Sequence, residues 1–163
     1  GIMRFSSRLP VATHILLCIA LLGEEHKTTS TFLAGSVGVN PVIVRNVLGQ
    51  LKAAGLVAVE PGVGGASLTK DPAEITLCDV LEAVEDDTSV FHMHEHPSPE
   101  CPIGRNVHAV LGAELEAAET AMLERLASTT LANTSGSTDS STRRNRGSLS
   151  VCCGIGGRIL STV

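Results

Sequence analysis

Aromatic side chains are almost missing from this chain: three Phe, no Trp and no Tyr in 163 residues. Proteins that hold single-stranded nucleic acid stack bases on aromatic platforms, so that class is disfavoured. Long apolar runs are missing too. The longest, Ile15–Leu22, is too short to cross a bilayer. Nothing resembles the charged start and small-residue cleavage site of a signal peptide, so the expected location is the cytoplasm. Gly1-Ile2 precede Met3, which reads as the natural start. The five cysteines are Cys18, Cys78, Cys101, Cys152 and Cys153. Their odd count and irregular spacing do not form a disulfide framework, as suits a reducing compartment. Cys18 and Cys78 fall within apolar helical patterns and read as small core residues.

What is present is a segregated charge. Residues 1–70 carry six basic and three acidic side chains, residues 71–132 two and thirteen, and residues 133–163 four and one. The formal net charge of −5 therefore hides a basic N-terminal part that can face phosphates.

Val11, Ala12, Ile15, Leu16, Ile19 and Leu22 form a helical stripe over Arg8–Leu22, closed by Gly23. Thr29 or Ser30 caps a short helix through about Val37, with Gly38 as its stop. Asn40 caps the next helix, and Pro41 suits its first turn. Val44, Val47, Leu48 and Leu51 point inward, and Gly55 supplies the left-handed end. Two helices around a tight Gly38 turn make a helix-turn-helix pattern. Leu56–Glu60 then reads as a strand, Pro61–Ala66 as a glycine-rich turn, and Ser67–Thr69 as the returning strand. Helix-turn-helix followed by a hairpin with a flexible tip is the winged-helix order. An ordinary hairpin on a helical core is the plainer alternative. A nucleotide-binding loop is not supported, because no Gly-Lys-Ser/Thr follows the glycines.

Asp71-Pro72 are expected to open a helix through about Asp86. Asp87–Pro102 is a loop rich in His, Pro and acid. From Ile103 a long helix is expected to about Ala132, with a coiled-coil-like seam of Val107, Leu111, Leu115, Ala118, Met122 and Leu126. Such a helix would span roughly 45 Å, which suggests dimerisation. The alternative is a helix folded back on its own domain. Residues 133–163 are dominated by Ser, Thr, Gly and Asn up to Ser150 and read as a disordered tail. The reading is thus a mainly α fold with a small β-hairpin. It divides into a winged-helix DNA-binding domain at 3–86, an effector loop at 87–102, a dimerisation helix at 103–132, and the tail.

Three stretches carry a resemblance: MRFSSRLPVATHIL, NPVIVRNVLGQLKAAGLV and GVGGASLTKDPAEITLCDVLEAVE. Together they resemble the Rrf2 family of bacterial winged-helix regulators over residues 3–132. The resemblance implies a homodimer on pseudo-palindromic promoter DNA, most readily a repressor. It implies that Asn40 and Pro41 open the reading helix and that Val42, Arg45, Asn46 and Gly49 face the major groove. Arg4, Ser6, Ser7, Arg8, Thr29 and Ser30 would lie near phosphates. Chemistry agrees: Arg pairs with guanine O6 and N7, Asn with adenine N6 and N7, and helix N-termini receive phosphate. Two departures are visible. Several family members carry a wing Arg where this chain has Pro61, which leaves Gly62, Gly64, Gly65 and Lys70 as backbone and phosphate contacts. Cluster-binding members hold iron–sulfur through three loop cysteines, whereas this loop has Cys101 alone. No cofactor is therefore expected, as in the cluster-free subgroup.

His92, His94 and His96 alternate ahead of Cys101 and His108. Imidazole and thiolate suit zinc or copper, but solvated loop histidines are the preferred reading. Cys101 precedes a helix start, which lowers a thiol's pKa and makes it the candidate redox sensor. Two other functions compete with DNA binding. One is a winged helix that docks a protein partner. The other is a metal-dependent enzyme, for which no H-E-x-x-H motif speaks.

Overall fold

The computed structural model describes residues 6–60, 64–91 and 100–136. Helices α1 (Arg8–Leu22), α2 (Ser30–Val37) and α3 (Pro41–Ala53) are followed by β1 (Val57–Glu60), β2 (Gly65–Leu68), α4 (Leu77–Val84) and α5 (Pro102–Ala127).

Local chemistry sets the first three helices. Thr29 caps α2 by accepting the Phe32 N–H, and Asn40 caps α3 by accepting the Val42 N–H. Gly38 and Gly55 take φ of 75° and 76°, the left-handed region where a Cβ is penalised. The α2 and α3 axes meet at 109°, within the range of a DNA-binding helix-turn-helix. β1 and β2 pair antiparallel with Val57 opposite Leu68 and Glu60 opposite Gly65. One apolar cluster joins Ile15, Leu16, Leu33, Val44, Leu51, Ile75, Val80 and Val84. α1 runs through it, packed against α2, α3, α4 and β2.

Three expectations need correction. The helix expected from Asp71-Pro72 begins at Leu77. Asp71 instead accepts the Ala73 N–H in a local turn. The true start is a capping box, in which Thr76 accepts the Asp79 N–H and the Asp79 carboxylate accepts the Thr76 N–H. The helix expected to reach Ala132 ends at Ala127. Ser128 and Thr129 donate their hydroxyls to the Arg125 carbonyl, competing with the next helical turn. The chain then turns back onto the winged region. The Leu77 N–H donates to the Thr129 carbonyl at 2.9 Å, the Leu131 N–H to Ile75 at 2.9 Å, and the Ala132 N–H to Pro72 at 3.1 Å. Leu131 is completely buried there. Finally, Cys18 is a core residue as expected, but Cys78 is only half-buried.

The expected α5 seam also divides. Leu115, Met122 and Leu126 are half-buried, whereas Leu111 is exposed with Ile103 and Val110 beside it on the helix. No described residue of α5 is fully buried.

Candidate nucleic-acid interface

The inward face of α3 is used up by Val44, Val47, Leu48 and Leu51, all buried. With 3.6 residues per turn, the opposite strip is Val42, Asn46, Gly49 and Ala53, and all four are exposed. This strip carries no charge. Cations stand on both sides of it. Arg45 and Lys52 lie on one flank, where they help to line a cleft of about 380 Å³. The opposite wall of the cleft is the start of α2 (Thr28, Thr29, Ser30), and its floor and rim include Gly64, Gly65 and Ala66 of the hairpin. On the other flank Gln50 donates to the Val84 carbonyl at 3.4 Å, and Arg8 donates to the same oxygen at 3.3 Å.

The hairpin is held against α2 by one buried hydroxyl. Thr28 is 3 % exposed, and among the described residues it is the buried polar one. Its Oγ1 donates to the Ala66 carbonyl at 2.6 Å and accepts the Ala66 N–H at 3.1 Å. The Ala66 N–H also reaches the Thr28 carbonyl at 3.2 Å. This clamp sets the distance between the wing root and the α2 N-terminus. Gly64 has φ of 63° and lies so close to α2 that a Cβ there would sit 3.4 Å from the Thr29 methyl.

Other predicted residues distribute as follows. Ser6 accepts the Arg8 N–H at the start of α1, and Ser7 is the N-cap there. Lys70 is exposed just beyond β2. Arg4 and Gly62 lie outside the described residues, as do His92, His94 and His96. Among the described residues no group of three or more His, Cys, Asp or Glu is arranged to hold a metal ion. Cys101 is exposed as the N-cap of α5, and the backbone N–H groups of Gly104 and Ile103 pull its thiol below the ordinary value. Cys78 moves the opposite way, pushed up first by burial and then by Glu82. Sequence reasoning missed Lys52 and Thr28. Lys52 could have been found, since it stands seven residues after Arg45 and so shares its side of the helix. Thr28 left no comparable signal, because its importance depends on where β2 returns.

The family model for Rrf2, an iron-dependent transcriptional regulator, matches residues 5–135. The chain belongs to the Rrf2 family. It is 43% identical over 126 residues to the HTH-type transcriptional regulator YwnA of Bacillus subtilis (strain 168), covering 77% of this chain and 92% of that protein. A solved DNA-binding protein matches with a TM-score of 0.64 and 39% identity, covering 78% of this chain and 98% of that one. The T. potens IscR structure, at 19% identity, shares the fold with a TM-score of 0.63 over 83% of this chain and 88% of its own. This Rrf2 protein is a winged-helix, DNA-binding transcription regulator and not an enzyme. Among its described residues no single helix is long and apolar enough to cross a membrane.

Proposed function

We propose that this Rrf2 regulator acts in the cytoplasm as a homodimer and represses transcription by occupying pseudo-palindromic promoter DNA. Each protomer would lay α3 in one major groove. One observation carries the reading: an uncharged, exposed strip on α3 lies between two cationic flanks, and one flank forms a cleft with the start of α2. Bases are read by uncharged or bidentate side chains, and phosphates by cations and helix N-termini. The geometry suits both tasks on one face. Asn40, Pro41, Val42, Asn46 and Gly49 would face bases. Arg8, Thr29, Ser30, Lys52 and the wing glycines would face phosphates. Arg45 shares the cleft wall with Lys52, so it can serve either role.

The test is duplex binding by the full chain at graded salt. Binding that weakens steeply with salt is expected. Arg45→Ala should cost about 1–3 kcal/mol. A loss confined to one base position assigns Arg45 to a guanine, and a uniform loss with a shallower salt slope assigns it to a phosphate. Salt-insensitive or absent binding would favour a protein-docking role instead.

Dimerisation is supported by the apolar strip on α5, where Ile103 is 76% and Val110 71% exposed. The family's iron fits this chain poorly. Segment 87–102 holds Cys101 as its one cysteine, and thiolates are the usual cluster ligands. We therefore read the protein as free of an iron–sulfur cluster. Cys101, exposed and with its thiol pulled down, is the group that a redox response would use. Faster alkylation of Cys101 than of Cys78 near neutral pH is the expected sign.

A further inference from the structure

The geometry points to Val42 as a specificity-determining residue that reads a thymine methyl group in each half-site. The inference rests on the DNA-binding reading above. Val42 is 51% exposed on α3 and takes no part in the core or the apolar shell around it. The fold therefore gives no account of a branched apolar side chain there. Its neighbours along the strip, Asn46 and Gly49, are exposed as well. Base edges in the major groove are polar with one exception, the C5-methyl of thymine. A valine forms no hydrogen bond, so that methyl is the one base feature it can favour. Position supports this. Val42 follows Asn40-Pro41 in the first turn of α3, and the first residues of a recognition helix reach the bases most directly.

Asn46 lies one turn further on. Its side chain can bond adenine N6 and N7 together. Four residues along a helix span roughly 6 Å, or about two base-pair steps at 3.4 Å each. The half-site is thus predicted to present a thymine for Val42 with an adenine for Asn46 within about two steps. Gly49 completes the strip. A Cβ there would meet nothing within 4 Å, yet an interior helical glycine is less stable than alanine. The fold has no use for this glycine, whereas a surface that must come close to α3 does.

The test starts from duplexes selected out of a random-sequence library by the full-length protein. Each thymine of one half-site is then replaced singly by deoxyuridine, which removes only the methyl group. One position should weaken binding roughly fourfold, the worth of one buried methyl. Val42→Ala should abolish that sensitivity. Ile43→Ala should retain it, because Ile43 is similarly exposed at 46% but lies on the Gln50 flank. Gly49→Ala should raise the melting temperature while weakening binding to the same duplex. If a sequence is selected but no deoxyuridine matters, or Val42→Ala keeps the sensitivity, the inference fails and DNA binding stands. If Ile43→Ala erases it, the assignment to Val42 is wrong. If no duplex is enriched and binding is insensitive to salt, both fall together.

Discussion

The winged region and helix α5 solve the problem of apolar surface in opposite ways. Residues 8–84 pack one continuous cluster, with Ile15, Leu16, Leu33, Leu51 and Val80 at or near zero exposure. α5 is the longest of the described helices, at 26 residues, yet none of its described residues is fully buried. Its strip of Ile103, Val110 and Leu111 is exposed, and among the described residues of the winged region the large exposed apolar side chains are Leu21 on α1 and Val42 and Ile43 at the start of α3. A helix whose apolar side faces solvent is stable only if something covers it. The contrast separates a region whose apolar side chains are covered, with Leu131 from beyond α5 among them, from a helix that leaves an apolar strip exposed.

The sharpest way to break the comparison is to put a charge into the α5 strip. Val110→Glu touches no core residue, since Val110 is 71% exposed. It should convert a dimer to a monomer in sedimentation while leaving the monomer's helical content intact. Losing the second half-site removes avidity, so affinity for a palindromic duplex should fall at least about 100-fold. An unchanged sedimentation coefficient would mean that α5 is not the dimer surface.

A smaller effect is expected at the other end of the same helix. Leu131 follows α5 but belongs by its contacts to the winged region, where it is completely buried and its N–H bonds to Ile75. Leu131→Ala should cost about 2–5 kcal/mol, read as a lower denaturation midpoint of the protein. DNA affinity at low temperature should be nearly unchanged, since α3 and the wing root are untouched. A variant as stable as the parent would show that the returning segment is an ornament.

The legibility of the chain follows the same division. Asn40-Pro41, Gly38 and Gly55 announced the helix-turn-helix because caps and left-handed stops are local chemistry. The hairpin was readable for the same reason. Asp71-Pro72 misled because Asp71 caps a turn of its own, and the actual box of Thr76 and Asp79 lies further on. The apolar period stopped at Leu126, but the helix was extended to about Ala132, past the point where Ser128 and Thr129 end it. The Ser-Thr-Thr run was a visible signal against continuation. The docking of Leu131 was not, because a non-local pairing leaves no mark in a helical period. Within the interface, the outward residues of α3 came from the resemblance, and only the inward stripe of Val44, Val47, Leu48 and Leu51 followed from spacing. The cleft did not, because it needs the wing root and α2 brought together by Thr28.

The smallest expected effect sits where the two regions are tied. Glu119 of α5 accepts the N–H groups of Val90 and Phe91 at 2.7 and 3.0 Å, and the Ser89 hydroxyl at 3.3 Å. The Phe91 and Val90 amides hold its carboxyl below the ordinary value of 4.5, against a smaller opposing push from burial and Asp87. A carboxylate lowered on folding contributes stability that is present above its unfolded pKa and is lost as pH falls through its folded one. The link between α5 and the chain leading from α4 should therefore be intact at neutral pH and loosen only in acid, below 4.5. The amide resonances of Val90 and Phe91 should titrate together with one midpoint below that value. Glu119→Gln should remove the titration while retaining a weaker acceptor. Resonances that titrate at or above the ordinary value, or independently of each other, would mean that Glu119 does not join α5 to the region it serves.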